Sequence, residues 1–154
     1  MRGRRKAQSR ALVVAALLAT AVAGCGTSGS ADPATSAVSS VVAEGAELYA
    51  VSCAACHGAN LEGEADWRVA NDDGSFKSPP HDSSGHTWHH GDLTLLQIIS
   101  EGGGFSESRM PAFSETLTDA EILKILEFIK TQWGPDEREF QRTATLRELE
   151  AASQ

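Results

Sequence analysis

Residues 53–57 read Cys53-Ala54-Ala55-Cys56-His57. On a helical turn, cysteines three residues apart point to one side. Alanine at both positions between them leaves the approach uncrowded, and the histidine follows directly. C-x-x-C-H is the pattern of covalent c-type haem attachment. The two thiols can meet the two vinyl groups of one porphyrin, and His57 can swing beneath the iron as proximal ligand. Two other chemistries use a cysteine pair. A thioredoxin-like redox pair needs a βαβ context, and no such alternation is present. A zinc site needs a second Cys or His pair, which His81, His86, His89 and His90 leave open.

Haem iron takes a sixth ligand. The chain has two methionines, and Met1 lies at the extreme N-terminus. Met110 stands in Arg109-Met110-Pro111-Ala112-Phe113, and Pro111 biases it towards an extended backbone suited to a loop over the distal face. It follows His57 by 53 residues, enough chain to wrap one porphyrin, and is preceded by Gly102-Gly103-Gly104. A methionine is otherwise most often core filler. His86, His89 or His90 is the alternative sixth ligand.

Composition agrees with a cofactor in the core. Of 154 residues only 6% are aromatic and 14 are glycine, thin material for a purely protein interior. The first 24 residues hold five basic side chains and no acid; without them, 8 basic residues face 21 acidic ones, a charge of −13. That excludes a nucleic-acid binder, which needs clustered Lys and Arg, and favours basic protein partners.

The N-terminus reads as an address. A basic segment, residues 1–10, precedes the apolar run Ala11–Ala23, too short to span about 30 Å of hydrocarbon. Residues 1–24 are therefore expected as a signal peptide. Val22-Ala23-Gly24-Cys25 resembles a bacterial lipobox, which implies cleavage before Cys25, its lipidation, and a membrane-anchored protein facing the periplasm or cell exterior. Residues 25–41, rich in Ser, Thr, Gly and Ala, are expected as a flexible tether, with a span near 20 Å for its first 15 or so residues.

Three helices are predicted in the remainder. The first runs from Val42 to Ala55, with Gly58 as its stop. The second is capped by Asp92, continues to Ser100 and closes at Gly102. The third starts at the capping box Thr118-Asp119-Ala120-Glu121 and carries Ile122, Ile125, Leu126, Ile129 and Trp133 on one face before Gly134-Pro135. Residues 59–91 read as loop. The polar tail, residues 135–154, is compatible with an exposed helix.

Together these pieces resemble a class I c-type cytochrome from about Ala43 to Trp133. Gly45-x-x-x-Tyr49, Cys53-x-x-Cys56-His57-Gly58, Pro79-Pro80 and Met110-Pro111-Ala112-Phe113 carry the likeness, nearest to the monohaem domains grouped with the cytochrome subunit of cbb-type oxidases. The resemblance implies an all-α fold of helices and long loops around one covalent haem c, in a domain over residues 42–134. It implies that Gly45 lets the first and last helices cross, with aromatic contact near Tyr49 and Phe128. It also implies that His57 Nδ1–H donates to a carbonyl at Pro79 or Pro80. His86, Trp88, His89 and His90 are read as donors to the haem propionates or as loop packing; a solvated surface and a second copper or zinc site are the other readings of this loop.

The function expected is that of a membrane-tethered, non-enzymatic carrier of single electrons between respiratory redox proteins, such as a donor and a terminal oxidase. Alternatives are the subunit through which electrons enter a dehydrogenase or oxidase complex, or a haem-based ligand sensor in which Met110 dissociates.

Overall fold

The computed structural model describes residues 33–154. Among them are five α-helices and no strand: α1 (Pro33–Ser52), α2 (Ala54–His57), α3 (Asp92–Glu101), α4 (Asp119–Lys130) and α5 (Pro135–Ala152), with a 3₁₀ turn at Thr87–His89. The all-α expectation holds. The signal peptide, Cys25 and the tether as far as residue 32 lie outside the described residues.

Helix α1 corrects one boundary. It starts at Pro33, so residues 33–41 are helical where a flexible tether was expected. Proline at a first helical position gives up only an N–H that has no intrahelical partner. No glycine or further proline interrupts the chain before Gly45, so the packed part of the helix propagates outwards. Residues 34–40 remain exposed.

The core lies where α1 crosses α4. Gly45 is buried, and a Cβ there would collide with the Lys124 carbonyl oxygen and stand 3.1 Å from Phe128 Cβ. Only a residue without a side chain lets the two backbones approach so closely. One turn on, Tyr49 meets Phe128 with ring centroids 5.4 Å apart. Tyr49, Ile122, Ile125, Leu126 and Ile129 are fully buried, each aliphatic side chain contributing roughly 1.5–3 kcal/mol of transfer free energy. The predicted capping box forms: Thr118 Oγ1 accepts from the Glu121 N–H (3.3 Å), and Glu121 accepts from the Thr118 N–H (2.8 Å). Trp133 lies in the turn after α4 rather than in the helix, but is buried, and its Nε1–H donates to the His81 carbonyl at 2.8 Å.

Helix α3 is capped otherwise than its sequence implies. Asp92 is its first residue, and the cap position belongs to Gly91, which has no side chain to offer. The tail supplies the missing acceptor. Glu148 of α5 accepts from the N–H groups of Gly91 (3.1 Å) and Leu93 (3.0 Å) and from Thr94 Oγ1 (2.5 Å). Its charge faces the positive end of the helix dipole and satisfies orphan donors of the first turn. Asp92 in turn accepts from Lys130 Nζ (2.8 Å) and from Nε2 of the buried Gln141 (2.7 Å). The tail is thus a docked helix.

Glu148→Ala should therefore destabilise the protein by about 1–2 kcal/mol, or roughly 4–8 °C in thermal melting of a domain this size. An unchanged melting temperature would show that α5 is not fastened through this carboxylate.

Candidate functional site

The C-x-x-C-H stretch sits at the end of α1. Cys53 occupies the cap position of α2 and is buried; Cys56 is exposed, and His57, last in the helix, is buried. Neither cysteine is in a disulfide. Burial, with the neighbouring Cys56 adding to it, pushes the Cys53 thiol up to about 11. A redox pair of the thioredoxin kind needs the opposite, a thiol with lowered pKa.

His57 is held at its far nitrogen. Its Nδ1 lies 2.8 Å from the Pro79 carbonyl oxygen, placed to donate, so Pro79 and not Pro80 provides the acceptor. Burial lowers the imidazole's pKa, partly opposed by this hydrogen bond and by Glu64, which favours the neutral form that binds metals. Such a bond fixes tautomer and orientation, as is usual for metal-binding imidazoles. The Pro79 loop is itself pinned. Gly63 donates from its N–H to the His57 carbonyl at 2.8 Å, Glu64 accepts from the Ser78 N–H at 2.6 Å, and the His81 N–H donates to the Leu61 carbonyl at 2.8 Å. The Ser78 contact is the main reason the Glu64 carboxyl stays below its ordinary range.

Cys53, Cys56, His57, Pro79 and Met110 all line one cavity of about 860 Å³, within the usual range of roughly 300–1,000 Å³ for ligand and cofactor sites. Leu95 and Ile99 of α3, Ile125, Leu126 and Ile129 of α4, and Phe113 form apolar walls. Phe76 and Phe105, both exposed, meet edge to face at 5.6 Å beside it. Arg68, Lys77 and Arg109 are the cationic side chains of the lining.

The histidines divide. His81, His86 and His90 line the cavity and His89 does not. His81 stacks on His57, with centroids 3.9 Å apart and planes 23° apart. Burial, then the nearby His57 and His86, hold its pKa well below the histidine range. His86 stacks on Trp67 at 5.1 Å. Trp88 and Pro80, expected around the cofactor, are not among the lining residues. The Trp88 ring is drawn instead to Phe140 of α5, 5.5 Å away. Among the described residues no group of three His, Cys, Asp or Glu is placed to hold a metal ion.

The cytochrome c family model matches residues 42–133, more than half of the chain. The chain belongs to the cytochrome c family. Neither the curated proteins nor the solved structures contain a significant match.

Cytochrome c domains bind haem c covalently, and Cys53 and Cys56 fit that attachment. The rest of the cavity fits a haem as well. Its apolar walls suit a macrocycle, and three cationic side chains suit the two carboxylates such a group carries. Three buried polar atoms also have no protein partner: His81 Nδ1, His86 Nδ1 and Trp88 Nε1. Each such atom left unpaired costs about 1–3 kcal/mol, and two of the three residues line the cavity.

The sequence reading missed His81 as a residue of the site. Its signal was position: it lies two residues beyond the carbonyl that holds His57.

Gly63 has φ of +66°, and a Cβ there would stand 2.5 Å from the Pro80 nitrogen and 2.7 Å from the Pro79 carbonyl carbon. Gly74 has φ of +80° but open space around it. Gly63→Ala should therefore cost about 1–3 kcal/mol more than Gly74→Ala, read as a larger drop in denaturation midpoint. Equal losses would mean that this close approach does not hold the Pro79 loop.

Proposed function

We propose that this cytochrome c is a membrane-tethered carrier of single electrons, in which Cys53 and Cys56 would hold the haem covalently and His57 and Met110 would ligate its iron. The observation that carries this reading is the convergence of both thiols, the Pro79-anchored imidazole and the thioether on one apolar cavity. When bound, the haem supplies a one-electron Fe(III)/Fe(II) couple.

The protein's part is to hold, tune and expose that couple. His57 presents Nε2 because Nδ1 is engaged by Pro79. Met110 brings a soft sulfur donor that favours the reduced metal and raises the potential relative to two imidazoles. The apolar walls from α3 and α4 disfavour the extra positive charge of the oxidised state. Ligation by two side chains, His57 and Met110, would leave the iron no site for oxygen or peroxide, which suits transfer and not catalysis. Cys56, Phe76 and Phe105 line the cavity and are themselves exposed, so its rim reaches solvent, where a redox partner can come close. Partners of this class, a donor and an acceptor such as a terminal oxidase, meet through small transient interfaces.

The tether is proposed from residues outside the described structure: the signal peptide ending in Val22-Ala23-Gly24 and a lipidated Cys25. Among the described residues no helix is long and apolar enough to cross a membrane.

Met110→Ala should keep covalent haem but lose the far-red thioether-to-iron band of the oxidised protein and bind cyanide or carbon monoxide readily. Absence of that band from the unmutated protein would refute thioether ligation. The mature protein taken from the membrane fraction should begin at Cys25 and carry the added mass of acyl chains there; a mature chain without acyl mass at residue 25 would refute lipid anchoring at this residue.

A further inference from the structure

His57 is restrained at one edge by its hydrogen bond to Pro79. A single bond at Nδ1 leaves the ring free to rock about the Nδ1···O line, because the torsion joining an imidazole to its Cβ is broad. A second restraint is needed to define the ring's plane, and the structure holds one against its face. The His81 ring stacks there at 3.9 Å, with an interplanar angle of 23°.

His81 is itself fixed from several sides. Its N–H donates to the Leu61 carbonyl (2.8 Å), its carbonyl accepts from Trp133 Nε1 (2.8 Å), and Tyr49 meets its ring edge-on at 5.9 Å. Those contacts tie it to α1 through Tyr49 and to the turn after α4 through Trp133. An aliphatic side chain could fill the same volume without leaving a buried nitrogen unpartnered, as His81 Nδ1 is. It would not present a flat face to the neighbouring ring.

We propose that His81 is a positioning residue for the axial imidazole: its stacked ring sets the plane in which His57 presents Nε2. The inference rests on the reading of His57 as an iron ligand. The plane matters because imidazole orbitals overlap the iron d orbitals differently as the ring turns about the iron–nitrogen bond. A tilted or mobile ring changes the splitting of those orbitals, and with it the energy of the oxidised state.

The test compares holoproteins. His81→Leu removes the flat face, His81→Phe keeps it without the nitrogens, and His81→Gln is a second ringless variant should the leucine form fail to take up haem. Each is measured by electron paramagnetic resonance of the ferric state and by its midpoint potential. The ringless variant should show displaced or broadened low-spin g-values and a shifted potential, while His81→Phe stays near the unmutated protein. Unchanged g-values and potential in the ringless variant overturn the proposal. So does a phenylalanine variant displaced as far as the ringless one, since the effect would then belong to the nitrogens. Lack of any low-spin haem signal in the unmutated protein would instead overturn the His57–Met110 ligand pair on which the inference rests, a separate failure.

Discussion

The Lys124 carbonyl lies where a side chain at residue 45 would have to be. That close approach of α1 to α4 is the constraint on which the remaining arrangement depends. With the two backbones in contact, Tyr49 falls against Phe128 one turn further along α1. The same register ends α1 at Ser52, so that Cys53, Cys56 and His57 come out beside the apolar face of α4. Ile125, Leu126 and Ile129 then serve two purposes: they are buried in the protein core, and they wall the cavity on which the cysteines open. A wider crossing would separate the attachment residues from that wall.

The loops provide what helices cannot. Residues 59–91 contain only one short 3₁₀ turn, yet they place Pro79 and His81 on the edge and the face of one imidazole. Loop backbone has carbonyls to spare, whereas a helix uses its own. A proline at 79 has no N–H to satisfy and contributes an acceptor alone. Backbone bonds from Gly63 and His81, with the Glu64 carboxylate on Ser78, hold this segment without regular secondary structure. A loop of such length is unusual in a compact domain unless it has a function. Here it forms much of the boundary of a cavity whose other walls are helical.

The tail shows the same economy at the far side. Helix α3 begins at a glycine-capped end, which on its own leaves N–H groups unpaired. Glu148 reaches them from 57 residues downstream of Gly91, and Lys130 with Gln141 fastens Asp92 beside it. The polar composition that made α5 look solvated is partly the means of its attachment. Because α3 contributes Leu95 and Ile99 to the cavity, this clasp couples the C-terminal helix to the wall of the site.

Local chemistry was legible in the sequence: the C-x-x-C-H motif, the capping box at Thr118 and the stop at Gly102; the close approach at Gly45 was implied by the family resemblance alone. The first three depend on neighbours within a few positions. The start of α1 was misread, because alanine, serine and valine serve tether and helix alike and only propagation from the packed end decides. The stacking of His81 on His57, the reach of Glu148 to α3 and the turning of Trp88 towards Phe140 were not legible at all. They join residues 24, 54–57 and 52 positions apart. Such pairs depend on how helices and loops are laid against one another in three dimensions, and no periodicity or local motif encodes that. The sequence by itself determined which cofactor chemistry the chain can perform; the tertiary structure decided which side chains surround the ligands, because those contacts exist only once distant segments share one wall.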